Sequence, residues 1–270
     1  MSGKRRIFLN STVFSATFLA VLAVLVIFMT AVIGGLIFYP SFTDLIASIT
    51  SPEILFAVRL SLVTSAISTA LCIIVAIPVA YAMARFSFPG KSYANLIINL
   101  PLSLPPLVAG IALLIFFGPS LVGTFLKDAG IDVVYTGIAI IVAKFFVNVP
   151  YMIRVTRSAF EMINPRYENV ARTLGCSEWE AFRQVTLPLA KKGLLAGLVI
   201  TWSKSIGEFG AVLLLAGATM MKTETLPIAV YINISTGELN EAIAASVILI
   251  GIAIVSLLVF ERYGEGTRVL

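Results

Sequence analysis

A chain of 270 residues in which 59% are hydrophobic and only 12% charged cannot assemble a water-soluble surface, since soluble domains carry about 25% charged residues. Its mean hydropathy of +1.01 sets the apolar excess against lipid, and the formal net charge of +5 has to be read by where the charges sit. The absence of histidine excludes histidine metal sites and histidine acid–base chemistry. Two distant cysteines, Cys72 and Cys176, make neither a disulfide framework nor a four-ligand zinc site, so no metal centre is expected.

A spanning helix needs roughly 20 mostly apolar residues. Six runs qualify, at about 12–39, 56–83, 95–117, 133–153, 193–217 and 241–260. The first follows Lys4, Arg5 and Arg6; it is far longer than the roughly 7–15-residue core of a signal peptide and reads as a retained span. Basic residues then set the orientation. With the N-terminus in the cytoplasm, Lys4, Arg5, Arg6, Arg85, Lys91, Arg262, Arg268 and the seven basic residues of the 154–192 loop fall inside, fourteen against Arg59, Lys127 and Lys222 outside. This split obeys the positive-inside rule. It predicts a multi-pass protein of the cell (plasma) membrane with both termini cytoplasmic, and it accounts for the basic balance as a topology signal, with lipid and not nucleic acid as the partner.

Within the spans, Pro78, Pro101, Pro105, Pro106 and Pro150 lie in or beside apolar runs. Such breaks are tolerated where neighbouring helices or an aqueous cavity satisfy the freed backbone groups. Leu100-Pro101-Leu102-Ser103-Leu104-Pro105-Pro106, followed by Gly110, is the densest case, and reads equally as a packed kink or as a bend beside a pathway. Ser61, Ser65, Ser68 and Ala70 in the second run allow close helix packing. Three ionisable residues lie deep in the runs: Lys144, Lys204 and Glu208. Lys204 and Glu208 are four apart, so they are expected to share one helix face and pair, while Gly207 and Gly210 let a backbone approach or the helix bend. Lys144 has no local partner.

The 154–192 loop is the most informative stretch. Asn164-Pro165 predicts a helix start, and Tyr167, Val170, Ala171 and Leu174 form a helical apolar stripe that Gly175 ends. Ser177-Glu178-Trp179-Glu180 reads as a capping box opening a second short helix, with Trp179, Phe182 and Val185 as its apolar face and Leu187-Pro188 closing it. Helices this short are marginal alone in water, so the bundle, the headgroup layer or a partner has to cover them. A helix–turn–helix DNA reader is disfavoured by its position between two spans; an interfacial loop and a partner-docking surface both remain.

This loop resembles that of the permease subunits of ABC importers, whose motif runs Glu-Ala-Ala, three residues, Gly, nine residues, Ile, one residue, Leu-Pro. Ala171, Gly175, Leu187 and Pro188 fall at the matching places. Asn169 stands where the motif has glutamate, with Glu168 one place early, and Val185 replaces isoleucine. Ala84-Arg85-Phe86-Ser87-Phe88-Pro89-Gly90-Lys91, Leu100–Gly110, Ala171–Gly175, Gly207-Glu208-Phe209-Gly210-Ala211 and Thr223-Glu224-Thr225-Leu226-Pro227 look most like the molybdate/tungstate branch of that family; sulfate/thiosulfate permeases look similar.

The resemblance implies an all-α membrane protein with a single six-span permease domain over 1–270, of the type I ABC importer kind, with short cytoplasmic coupling helices. It implies a homodimer, two cytoplasmic ATPase subunits, and an extracytoplasmic oxyanion-binding protein docking on about 40–54, 118–132 and 218–240. Glu168, Asn169, Ala171, Gly175, Trp179, Leu187 and Pro188 are the expected ATPase-coupling residues. Lys204, Glu208, Gly207, Gly210, Pro105 and Pro106 are the expected pathway residues. The chain has no Gly-x-x-x-x-Gly-Lys-Ser/Thr phosphate loop that would cradle a nucleotide; it is expected to be no enzyme and to bind no cofactor, with ATP and Mg on the partner. A membrane-embedded enzyme would need acidic, histidine or cysteine clusters near the interface, and none stands out. A passive channel would leave the loop helices without a role.

Overall fold

A computed structural model describes residues 13–264. The basic residues Lys4, Arg5, Arg6 and Arg268 of the topology argument lie outside them. The chain order begins with α1 (Val13–Phe38), α2 (Phe42–Ile49), α3 (Pro52–Arg85), α4 (Lys91–Ser103), α5 (Pro106–Phe117), α6 (Leu121–Asp128) and α7 (Gly137–Glu161). It continues with α8 (Arg166–Thr173), α9 (Glu178–Ala181), a π-helical turn (Phe182–Thr186), α10 (Leu187–Ile206), α11 (Gly210–Ala216), α12 (Leu226–Thr236) and α13 (Leu239–Gly264). Among the described residues five helical stretches are long and apolar enough to cross a membrane, and α4 with α5 makes a sixth if that bent pair is one span.

α3 and α7 form the centre. Along α3 the buried positions Ser61, Ser65, Ser68, Cys72, Ala76 and Ala80 recur every three or four residues, the spacing of one helix face. Small side chains there let α7 come close, bringing Ala139, Ala143 and Met152 into the core. The packing expectation holds for the three serines, whereas Ala70 faces outward. The seam is also polar. Lys144 of α7 is completely buried, and its Nζ donates to Thr64 Oγ1 at 3.0 Å and Ser65 Oγ at 2.8 Å. The lysine without a local partner therefore has two on another helix, which offset part of the roughly 2.5–3.5 kcal/mol that an ammonium costs at bilayer depth. α1 lies at the margin, with its apolar side chains directed outward, as lipid-facing residues must be.

Two of the expected spans are not single helices. The 95–117 run bends by 112° between α4 and α5, at Leu104-Pro105-Pro106. Pro106 starts α5 because its fixed φ suits a first helical turn and its missing N–H would be unpaired there anyway. By contrast, Pro78 and Pro150 sit inside continuous helices. The 193–217 run is displaced: its helix starts at Glu178, widens through the π turn, and stops at Ile206, with α11 following after Gly207-Glu208-Phe209. Leu187-Pro188 does not close the second short helix as expected. The Leu187 N–H bonds the Phe182 carbonyl five residues back, and this widened turn admits a proline, whose ring clashes with the carbonyl of a regular turn. The segments drawn as outer loops each hold a short helix: α2, α6 and α12.

The two broken spans meet. A Cβ built on Gly210 would lie 2.8 Å from Pro106 Cβ and 3.1 Å from the Leu107 amide nitrogen, and one on Gly110 would lie 2.9 Å from Leu214 Cβ. The crossing of α5 and α11 thus depends on two glycines facing backbone. Gly210→Ala should force the helices apart, with a loss of about 1–3 kcal/mol typical of overpacking. Gly251→Ala, with nothing within 4 Å of the added carbon, should leave stability unchanged. Thermal unfolding of the detergent-purified variants checks this; equal midpoints would refute the close crossing.

Candidate functional site

The 154–192 segment folds much as its sequence suggests. Asn164 Oδ1 accepts from the Arg166 amide at the start of α8. At the other end Gly175 has φ +98°, the left-handed region that favours glycine. The Gly175 N–H bonds the Arg172 carbonyl and the Cys176 N–H the Ala171 carbonyl, each at 3.1 Å, which is a Schellman termination. No atom lies within 4 Å of a Cβ built there, so backbone conformation and not close approach demands the glycine. Ser177 and Glu180 then form a reciprocal capping box.

Glu168 is turned inward. It is buried, ion-paired with Arg85 of α3 at 2.9 Å, and its two oxygens accept from Tyr81 at 3.1 Å and Thr186 at 2.8 Å. Arg85 also donates to the Ile163 carbonyl at 2.9 Å. The network ties α8 to the end of α3 and to the π turn. Beneath it Tyr81, Phe160 and Phe182 meet edge to face, with ring centroids 4.7–6.2 Å apart. Of the apolar face expected for the second short helix, Phe182 is covered by the bundle and belongs to the core. Ala171 is buried, Leu187 partly so, and Asn169, Gly175 and Pro188 are exposed.

What remains outside is apolar. Leu174 is 81% and Trp179 66% exposed, with Tyr167 and Val170 beside them also exposed. This patch is held on an anchored helix pair next to a polar cleft of about 600 Å³ bordered by Asn169, Arg172, Cys176 and Glu178. Arg172 and Glu178 bridge α8 and α9 at 3.0 Å in an exposed pair that contributes little. Sequence reasoning missed Tyr81, Arg85 and Thr186 as parts of this unit. Their separations from Glu168 of 87, 83 and 18 residues leave no local pattern to find.

At the other group of expected site residues the i, i+4 pair does not form. The helix ends at Ile206 before Glu208 can stack over Lys204, and the ion pairs among the described residues are Arg85–Glu168, Arg157–Glu161 and Arg172–Glu178. Lys204 is exposed, with Nζ 5.3 Å from the Tyr151 ring centroid. Glu208 is buried, and its Oε1 accepts from the Ala211 N–H at 3.2 Å, satisfying a donor left free where α11 begins. The structure nevertheless brings the two stretches together, since Pro106 packs on Gly210. Pro105, Pro106, Gly207 and Lys204 are exposed at or near the two breaks.

Glu168→Gln should strand Arg85 in a nearly buried site and cost about 3–5 kcal/mol, whereas Asn169→Gln, exposed, should be near neutral. The double change Arg85→Met with Glu168→Gln should recover part of the loss. Thermal unfolding of the four variants decides it; a Glu168→Gln midpoint equal to wild type would dismiss the anchor.

Comparison with known proteins agrees with this architecture. Residues 76–263 match the family model described as the binding-protein-dependent transport system inner membrane component. The chain is 32% identical over 241 residues to a probable molybdenum ABC transporter permease protein of Haloferax volcanii, covering 89% of this chain and 87% of that one. It is 39% identical over 210 residues to the molybdenum transport system permease protein ModB of Mycobacterium tuberculosis, covering 77% and 78%, and 32% identical over 203 residues to the sulfate transport system permease protein CysT of Escherichia coli, covering 74% and 73%. In fold it is similar to a chain of a bacterial alginate ABC transporter solved with an alginate-bound periplasmic protein, with a TM-score of 0.73 at 19% identity over 95% of this chain and 94% of that one. An anchored helix pair between two spans, a bundle of type I ABC importer permease architecture and a family match over most of the chain agree: this polytopic membrane protein belongs to the binding-protein-dependent transport system inner membrane component family.

Proposed function

We propose that the chain is the membrane-spanning subunit of an ATP-driven importer that moves molybdate or tungstate across the cell membrane by alternating access. The observation that carries the reading is the exposed Leu174–Trp179 patch on a helix pair anchored from within by Glu168. A surface that keeps large apolar groups in water while its polar carboxylate is buried is built to be covered by a protein. The partner is a cytoplasmic ATPase subunit, one on each half of a permease homodimer, and it supplies ATP and Mg while this chain carries no cofactor. The loop side is then cytoplasmic, with both termini there, and 1–270 acts as one permease domain. An extracytoplasmic oxyanion-binding protein docks on the opposite side, over α2, α6 and α12. ATP-driven closure of the ATPases would move α8 and α9, and the Glu168–Arg85 link would pass that movement to α3.

The paired breaks support a pathway past Pro105, Pro106, Gly207 and Gly210, since irregular backbone at membrane depth persists where it is buried in protein or lines water. Lys204 offers an exposed ammonium there, and Glu208 is turned away into its own backbone. Molybdate or tungstate is favoured over sulfate by the 39% identity to the mycobacterial molybdenum permeases, while a second relative named for molybdenum and those named for sulfate lie together at 32–34%; sulfate is the second reading.

Uptake of radiolabelled molybdate into proteoliposomes holding the permease, its ATPase and the binding protein tests the assignment. Uptake should need ATP and be competed by tungstate far better than by sulfate. Equal competition by sulfate would transfer the assignment to the sulfate reading, and absence of uptake of either anion would refute it. Trp179→Ala should weaken ATPase association by about 2 kcal/mol, roughly thirtyfold, and Gly175→Val should insert in the membrane but lose association. Wild-type affinity in both would remove the docking role.

A further inference from the structure

We infer that the groove between α4 and α7, on the loop side of the α4–α5 break, is a binding site for a tetrahedral oxyanion. Asn95, Asn99 and Ser103 recur every four residues on α4 and so share one face, spanning about 12 Å at 1.5 Å per residue. The rest of α4 turns Tyr93, Ile97 and Leu100 outward, as a lipid-facing surface would. Opposite the polar face, α7 presents Arg154, Arg157 and Ser158, and together they line an open cleft of about 550 Å³. Ser103 is the last residue of α4, so the cleft begins where the bent span turns and runs toward the loop.

The donors in this cleft are not used up by the protein. Arg157 is fixed, donating from Nε to Glu161 Oε1 at 2.7 Å and from Nη1 to Asn95 Oδ1 at 3.0 Å. A guanidinium only donates, so Asn95 must turn its carbonyl oxygen to Arg157 and its NH₂ elsewhere. The Asn99 NH₂ bonds the Asn95 carbonyl oxygens at 2.7 and 3.3 Å, which orders the pair. Arg154, the Asn95 NH₂ and the hydroxyls of Ser103 and Ser158 have no hydrogen-bond partner among the described residues. Arg154 also borders a recess of about 40 Å³ behind the cleft. Glu161 neutralises one guanidinium and leaves the other, so the site carries one net positive charge. An ordered amide, two hydroxyls and an uncompensated guanidinium are the groups that recognise a tetrahedral oxyanion through charge-assisted hydrogen bonds.

The anion has two sources, the transported oxyanion on its way into the cytoplasm or the phosphate of a lipid headgroup; the first rests on the proposed transport function, while the site itself rests on the donors. The test uses the full-length permease in detergent, with tungstate, sulfate or phosphate against chloride at matched ionic strength. Tungstate should raise the unfolding temperature saturably. Arg154→Gln should weaken that protection at least about tenfold, as loss of a charged hydrogen bond does, Arg154→Lys should keep part of it, and Lys191→Gln, outside the cleft, should not alter it. In the second arm, native mass spectrometry counts phospholipids that co-purify. An anionic phospholipid retained by wild type and lost in Arg154→Gln, with no protection by free anions, supports the site and identifies its ligand as lipid. Identical behaviour of wild type and Arg154→Gln in both arms overturns it. Failure of molybdate uptake by the wild-type importer would count against the transport function alone, because anion protection reads the cleft directly.

Discussion

The seam between α3 and α7 is the contact on which the rest of the structure depends. In lipid, helices gain little from hydrophobic association with one another, so close backbone packing and interhelical hydrogen bonds have to hold them. α3 supplies both. Its serines and alanines let α7 approach, and its hydroxyls serve two further elements: Thr64 and Ser65 hold Lys144 of α7, and Ser61 accepts from the Leu226 amide at 2.7 Å where α12 begins. At its far end, Tyr81 and Arg85 hold Glu168 of α8. One 34-residue helix thus ties the loop helices to elements at the opposite end of the bundle.

Around this rigid centre the irregular backbone is concentrated at two breaks, and they lie against each other. A helix end in a bundle leaves amides and carbonyls unpaired, which is costly where water is scarce. Here the Glu208 side chain takes one amide and proline removes another. Two glycines then let the interrupted helices cross at backbone distance. The arrangement keeps the bundle closed while setting the two breaks against each other.

The loop helices show the same division between anchor and surface. Glu168 is spent inward on Arg85, Tyr81 and Thr186, and Phe182 packs beneath it. An apolar patch on a fixed frame loses less freedom on being covered than one on a mobile loop, which suits Leu174 and Trp179 to the ATPase contact proposed for them.

By itself, the sequence determined the membrane class, the number and approximate place of the apolar runs, and the start and stop of α8. These depend on composition, residue periodicity and local hydrogen bonding, all of which act over a few residues; Gly175 and the Ser177–Glu180 box are legible because their partners lie within four positions. Only the tertiary structure decided the partners of Lys144 and Glu168, the meeting of Pro106 with Gly210, and the failure of Lys204 and Glu208 to pair. The first two partnerships join residues about 80 positions apart, which no spacing rule can anticipate. Lys204 and Glu208 misled for the converse reason: an i, i+4 rule assumes an unbroken helix, and the helix stops at Ile206. The continuous fifth span failed as an expectation on the same ground, since hydropathy records how apolar a segment is and not whether its neighbours let it bend.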